Sequence, residues 1–440
     1  MSDYGGFIWV VDESNRASLL EGHIKHDKTF TDAMSASDWQ TKYAEIFLIS
    51  FDTHNIDYAA LARRGRKVVT DKYRVRLSNF VQFTPGIPFQ EIETLLSSSV
   101  KRYFNRSSTG AGQRVPPKTW NEVTSAIKRL RPEVSENFDR LYSLRNITRS
   151  LLDRPGAEIL LQERDAVNMS LRIAGFDPIE ITGWTPPEEE IAPFLKGLRS
   201  AVLIEDQMIT HDAEVFGDWK KIKRYLVGSA RFEKGNEQLT ITNVNRHVVE
   251  QTAGVDLICY FHKFKSYILI QYKRMMRESD ELMYRLNDKS YKKELSRMEE
   301  LDQILNGNLQ LSLPLGNQPV DYRLNQGTFY FKLCPAEITD ITSTAMIQGM
   351  YIPFDYWKLL ICSDQTLGPK GGRRMTFDNV GRYFNNTLFI GLVQDGWVGS
   401  QIRNKVIITK VISQAIETNR SVILSSLKPI VPEQKQSKVG

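Results

Sequence analysis

The sequence predicts an α/β protein: a mixed β-sheet flanked by helices, preceded by an N-terminal region that is itself mixed α/β and helical. Three observations carry this. Residues 256–261 and 267–272 are two runs dense in β-branched and aromatic residues, separated only by the basic segment His262-Lys-Phe-Lys-Ser266, the pattern of a β-hairpin. A long charged helix, expected over residues 281–305, follows soon after and offers Leu282, Leu286, Leu295, Met298 and Leu301 to pack on the sheet. A clean amphipathic helix, expected over residues 157–174, carries Leu160, Leu161, Val167 and Leu171 on its stripe, with Arg154-Pro-Gly156 before it and Gly175 at its end.

In chain order, residues 7–11 and 46–50 are strand-like apolar runs, and residues 73–83 alternate as one further strand or two, which Pro85 and Pro88 close. Between them lies the run Arg63-Arg64-Gly-Arg66-Lys67, followed by Lys72, Arg74 and Arg76. Glycine inside an arginine run lets a phosphate approach the backbone, so this is either a nucleic-acid backbone contact or a solvated loop. Residues 89–103 are helical, with Ile92, Leu95, Leu96 and Val100 on one face. Residues 102–118 are Ser/Gly-rich and basic, interleaved with Tyr103 and Phe104, a loop able to fold onto DNA or simply a loop. Residues 120–152 are helical, broken at Pro132.

The rigid acidic connector Trp184-Thr-Pro-Pro-Glu-Glu-Glu190 is the expected domain boundary. It separates residues 1–185, a domain for targeting, sensing or partner binding, from residues 200–425. Residues 428–440 are expected to be a disordered tail. In the second domain residues 238–244, 328–334 and 388–393 are expected as strands, and the later part of 401–416 as helix. The stretch Gly368-Pro-Lys370-Gly-Gly-Arg373-Arg374 can present N–H groups and arginines to phosphate, or be a plain exposed loop. It lacks the order of a P-loop.

At 440 residues the chain has room for two or three domains. Its 41% hydrophobic and 25% charged content is that of a soluble globular protein. The net charge of +6 is compatible with a polyanionic partner, although where the charge clusters matters more. Cys259, Cys334 and Cys362 are widely spaced with no CxxC pair, which argues against a zinc site and for free thiols in a reducing cytoplasm. The N-terminus lacks the basic and apolar regions of a signal peptide, and no apolar run approaches a membrane span. Internal repeats, a Rossmann glycine fingerprint, HExxH and GxSxG are absent from the sequence.

The hairpin has a chemical use. Antiparallel pairing brings the start of its first strand beside the end of its second, so Asp256 neighbours Gln271 and Lys273. Residues 271 and 273 share a face, and Glu250 lies close by. Mg2+ takes oxygen ligands, usually one or two carboxylates plus water and phosphate oxygens. Asp256 supplies a carboxylate, Gln271 an amide oxygen, and Glu250 a second acid. Protonated Lys273 is no ligand, but it can orient or deprotonate an attacking water, or steady charge on the phosphate.

Gly254-Val-Asp256 followed by Gln271-Tyr-Lys273 resembles the core motif of the PD-(D/E)XK nuclease superfamily, in the form of its Mrr-like restriction endonuclease branch, where glutamine replaces the usual second acid. The resemblance extends from residue 209 to the high 300s. It implies a restriction-endonuclease-like core and a Mg2+-dependent endonuclease on DNA, with Mn2+ as a substitute metal, serving prokaryotic restriction or antiphage defence. Such an enzyme is expected to be gated by oligomerisation, a protein partner or a small ligand. The implied catalytic set is Asp256, Gln271, Lys273 and Glu250. A further acid comes from the segment ahead of the core strands, Asp212 first and Glu214 second, although either fits a carboxylate at a helix N-terminus equally well. Expected nucleic-acid contacts are Arg274, Arg277, Lys370, Arg373 and Arg374, with Arg63, Arg64 and Arg66 in the N-terminal domain. The alternative is a nuclease-fold binding protein or structural subunit without turnover, because glutamine at 271 removes one charge from the metal site.

Overall fold

The computed structural model describes residues 4–11, 18, 21–22, 24, 29–35, 44–69, 72–110, 113–152, 156–185, 192–198, 202–203, 214–246, 254–278, 281–286, 289–306, 318–335, 341, 344–401 and 405–430. The chain divides into two compact units, Met1–Asp153 and Arg154–Gly440, each a mixed sheet flanked by helices.

The first unit contains β1 (Gly6–Val10), β2 (Thr29–Ser35), β3 (Glu45–Ser50), β4 (Asn55–Val69) and β5 (Lys72–Pro88), then α1 (Phe89–Leu95), α2 (Ser98–Ser107), β6 (Arg114–Val115), α3 (Pro117–Leu130) and α4 (Ser135–Leu152). Its sheet order is β2-β5-β4-β3-β1-β6, with β1 parallel to β3. Alternation along the strands decides the faces. Ile8, Leu48 and Leu61 pack on Phe104, Trp120 and Phe138 of the helices, while Trp9, Phe47 and Tyr58 form a separate cluster.

The second unit begins with α5 (Ala157–Ile173), β7 (Val202–Leu203), α6 (Trp219–Ile222), β8 (Leu226–Lys234) and β9 (Glu237–Val244). There follow β10 (Gly254–Phe261), β11 (Ser266–Glu278), β12 (Glu281–Arg285), α7 (Lys289–Asn306), β13 (Phe329–Pro335), β14 (Met350–Pro353) and α8 (Phe354–Cys362). β15 (Arg374–Thr376), α9 (Asn386–Gln394), α10 (Lys405–Glu417) and β16 (Arg420–Pro429) complete it. The main sheet runs β14-β13-β11-β10-β16-β9-β8-β7, and β12 pairs the far end of β11. β11 is parallel to β13, and β10 is parallel to β16. Residues 266–273 of β11 are buried throughout. A strand covered on both faces reads as one apolar run, without the alternation of a half-exposed strand. One face packs Ile258, Leu269, Phe331 and Leu424 against Met298 of α7, Trp357 of α8 and Ile412 of α10. The other face meets α5 and α9: Ser170 on α5 lies beside Cys259, and Phe389 on α9 stacks on Tyr351 at 4.3 Å.

Several expectations are corrected. The boundary falls at Asp153/Arg154 and not at the connector near residue 185, because α5 belongs to the second sheet. The polar residues of α5 that resemble a solvent face, Glu163, Arg164 and Asp165, are fully buried against it. Residues 388–393 lie in a helix, α9, whose Asn385 side chain caps the Leu388 N–H. Residues 281–285 form β12, so the charged helix starts at Lys289. Helix α2 continues to Ser107, shortening the expected basic loop. The Arg63–Arg64 run is strand, not loop: Arg63 lies opposite Arg76, and the Arg64 guanidinium sits 3.7 Å from the Tyr73 ring centroid. The Arg66 side chain lies outside what is described. β16 extends through Pro429, past both the 425 boundary and the expected start of the tail at 428. Residues 431–440 lie outside the described residues. No described helix is long and apolar enough to cross a membrane.

Candidate functional site

The β10–β11 register places Asp256 directly opposite Gln271, with Leu257 opposite Ile270 and Ile258 opposite Leu269. Directly opposed residues have Cβ atoms about 5 Å apart. Lys273 projects on the same face two residues beyond Gln271. Gln271 and Lys273 are 9% and 7% exposed, and the Lys273 Nζ lies 5.8 Å from the Phe331 ring centroid. The hairpin therefore brings an acid, an amide and an ammonium to one end of one sheet face. It can do so because its connection is short and both strands are held between neighbours, β16 and β13.

Sequence reasoning missed Arg420. The parallel β10–β16 ladder sets Gly254 beside Arg420 and Asp256 beside Val422. The Arg420 Nε donates to Asp256 Oδ1 at 2.8 Å, and one terminal nitrogen donates to the backbone oxygens of Val255 at 2.9 Å and Tyr272 at 3.3 Å. One guanidinium thus ties together both hairpin strands and the acid. Gly254 makes room for it: a Cβ there would stand 2.8 Å from an Arg420 nitrogen, closer than non-bonded atoms pack. The only local sign in the sequence was that glycine before the acid.

A cleft of about 70 Å3 opens beside these residues. Asp256, Gln271 and Arg420 line it; Ile258, Leu269 and Phe329 form a sheet floor, and Met298, Leu301 and Ala415 a helical roof. Asp256 is the one carboxylate among its described lining residues.

The opposite face carries a second polar cluster. Asp165 pairs with Lys332, both fully buried, and also accepts hydrogen bonds from the Tyr272 hydroxyl at 3.0 Å and the Ile347 N–H at 2.6 Å. Nearby Glu163 accepts from Ser421 Oγ at 2.6 Å, Asn243 Nδ2 at 2.8 Å and the Phe194 N–H at 2.9 Å. Burial pushes the Glu163 carboxyl above its ordinary range, against the pull of those donors. These groups lock α5 to strands β9, β11, β13 and β16. Ser421 and Tyr272 each adjoin a residue of the site in sequence, so this cluster braces the backbone from behind.

The other expected residues divide. Glu250 and Asp212 lie outside the described residues. Arg274 projects on the face opposite Lys273 and pairs with Glu158 of α5. Arg277 is exposed near the far end of β11, opposite Leu282 of β12. Arg373 donates to the Ser363 carbonyl at 2.6 Å and to Thr366 Oγ1 at 2.9 Å, and Arg374 pairs with Glu281 at 3.2 Å. Arg373 thus pins its own loop and Arg374 ties it to β12, while Lys370 is exposed.

Among the described residues no group of three or more His, Cys, Asp or Glu side chains converges as a metal site. The donors described, the Asp256 carboxylate and the Gln271 amide oxygen, are the smallest set that suits a hard divalent cation taking its remaining oxygens from water and phosphate. They fit Mg2+ on that condition, with the Arg420 cation already bound to the same carboxylate. In comparisons with protein-family models, curated proteins and solved structures, nothing matches this chain.

Proposed function

We propose that this protein is a metal-dependent nuclease that hydrolyses DNA phosphodiester bonds at the open end of the β10–β11 hairpin. The supporting observation is the register: Asp256 opposite Gln271, with Lys273 next on the same face. In this reading Asp256 and Gln271 hold a Mg2+ ion, which when bound would act as a Lewis acid on the phosphate. Lys273 orients the attacking water and balances the charge growing on the phosphorane oxygens. The apolar strand behind these residues keeps them fixed, and Arg420 sets the rotamer of Asp256.

A second reading is favoured by one observation, the Arg420–Asp256 ion pair. If the guanidinium holds that carboxylate permanently, the site binds a phosphate backbone without cleaving it. The experiment that separates the readings is incubation with supercoiled and linear DNA in Mg2+, Mn2+ or EDTA, with Asp256→Asn and Lys273→Ala alongside. Metal-dependent cutting lost in both folded variants is the expected result. Variants that cut as well as the parent remove this site from the chemistry. Binding of DNA by the parent without cutting, even with partners from its host supplied, supports the second reading.

A further inference from the structure

We propose that the cleft beside Asp256 is a nucleobase pocket, so that the substrate is a strand with an unpaired nucleotide. The inference rests on the phosphodiester-site reading and adds the substrate class to it. Its floor begins where the site ends: Ile258 and Leu269 are the next same-face residues after Asp256 and Gln271 along their strands. A group held at Asp256 and Gln271 therefore has an apolar slot directly beneath it. By the measure in which one water needs roughly 10–15 Å3, a cleft of about 70 Å3 holds roughly five to seven waters, the size of one planar ring and not of a base pair.

The rim supplies what a base and its phosphate need. Gln414 of α10 lines both this cleft and the adjoining groove between α6 and α10, and its amide can both donate to and accept from a base edge. Thr418 donates its hydroxyl proton to the Gln414 and Ala415 carbonyls at 2.9 and 3.0 Å, which leaves its oxygen as an acceptor. Arg297 of α7 also lines the cleft and is exposed, with no ion pair among the described residues, as suits a contact to the flanking phosphate. An apolar pocket with a few convergent polar groups is the ordinary form of a small-ligand site. A base still stacked and paired in a duplex cannot enter it, so mismatched, frayed or single-stranded DNA is favoured by the unpairing energy saved.

The test is calorimetric titration of the full chain in EDTA with thymidine 5′-monophosphate and with 2-deoxyribose 5-phosphate. The nucleotide is expected to bind at least tenfold more tightly than the sugar phosphate. Ala415→Phe, which fills the roof, should erase that difference. Gln414→Ala, at the half-buried rim, should weaken the nucleotide at least threefold and serves if Ala415→Phe does not fold. Equal affinities, no nucleotide binding, or nucleotide binding unaltered in a folded variant would each overturn the pocket. Nucleotide binding as expected, in a protein that cuts no DNA with metal, would keep the pocket and sink the nuclease reading. Cutting of intact duplex as fast as single strands would do the reverse.

Discussion

Arg420 is where the site is most exposed to test. Its side chain and that of Asp256 are 8% and 16% exposed, so the pair is mostly out of water. Two unit charges about 4 Å apart attract by about 4 kcal/mol at an effective dielectric near 20. Desolvation of both groups offsets part of this. We expect a coupling of about 2–3 kcal/mol in a cycle of Arg420→Met, Asp256→Asn and the double variant, read from urea unfolding at neutral pH. Arg420→Met alone should cost about 3 kcal/mol, because the Asp256 carboxylate loses its cation and the Val255 and Tyr272 carbonyls lose a donor. The same variant should gain more thermal stability from millimolar Mg2+ than the parent does, since the carboxylate is then open to the metal. A coupling under about 0.5 kcal/mol would refute the reasoning, since pairs that weak are typical of the solvated surface.

Three further predictions follow from the buried groups. Asp165→Asn or Lys332→Met alone should destabilise by about 3–5 kcal/mol, because each strands a fully buried charge; the double variant should cost less than the sum, as chemical denaturation will show. Glu163 has a native pKa raised by burial, so between the ordinary glutamate value and that raised value the folded chain binds more protons than the unfolded one. Stability should therefore fall as pH rises through that window, by about 1.4 kcal/mol per unit of elevation, then level off, and Glu163→Gln should lack this slope in pH-dependent denaturation. The Cys259 and Cys334 thiols are buried and pushed up to about 12 while Cys362 is exposed, so Ellman's reagent should titrate one thiol natively and three in denaturant.

What the sequence disclosed and what it hid have physical causes. The hairpin was legible because its signals are local: two β-type runs, a short connection, and a side-chain period of two that fixes which residues share a face. Arg420 was hidden because it reaches Asp256 across 164 residues through a parallel ladder, and parallel pairing leaves no turn to announce it. The apolar run at residues 388–393 fits strand or helix equally by periodicity; the Asn385 cap was the deciding feature. Helix α5 was legible as a helix but not as a central one, because charged residues buried by partners look like charged residues facing solvent. Its partners come from β9, β11, β13 and β16, all distant in sequence. The arginines at 373 and 374 were legible as basic, but not as engaged, the first with its own loop and the second with Glu281 of β12.

The position of β16 has a bearing on when the hairpin acquires its frame. This strand sits in the middle of the sheet, between β10 and β9, yet it is synthesised after every other described element of the unit. Until residues 420–429 leave the ribosome, the hairpin has an open edge, and Asp256 lacks the side chain that orients it. A chain that stalls or breaks before residue 420 thus carries Asp256, Gln271 and Lys273 without their frame. The order of manufacture therefore sets the order of assembly: the ion pair that fixes Asp256 forms only after residue 420 is available to pair with it.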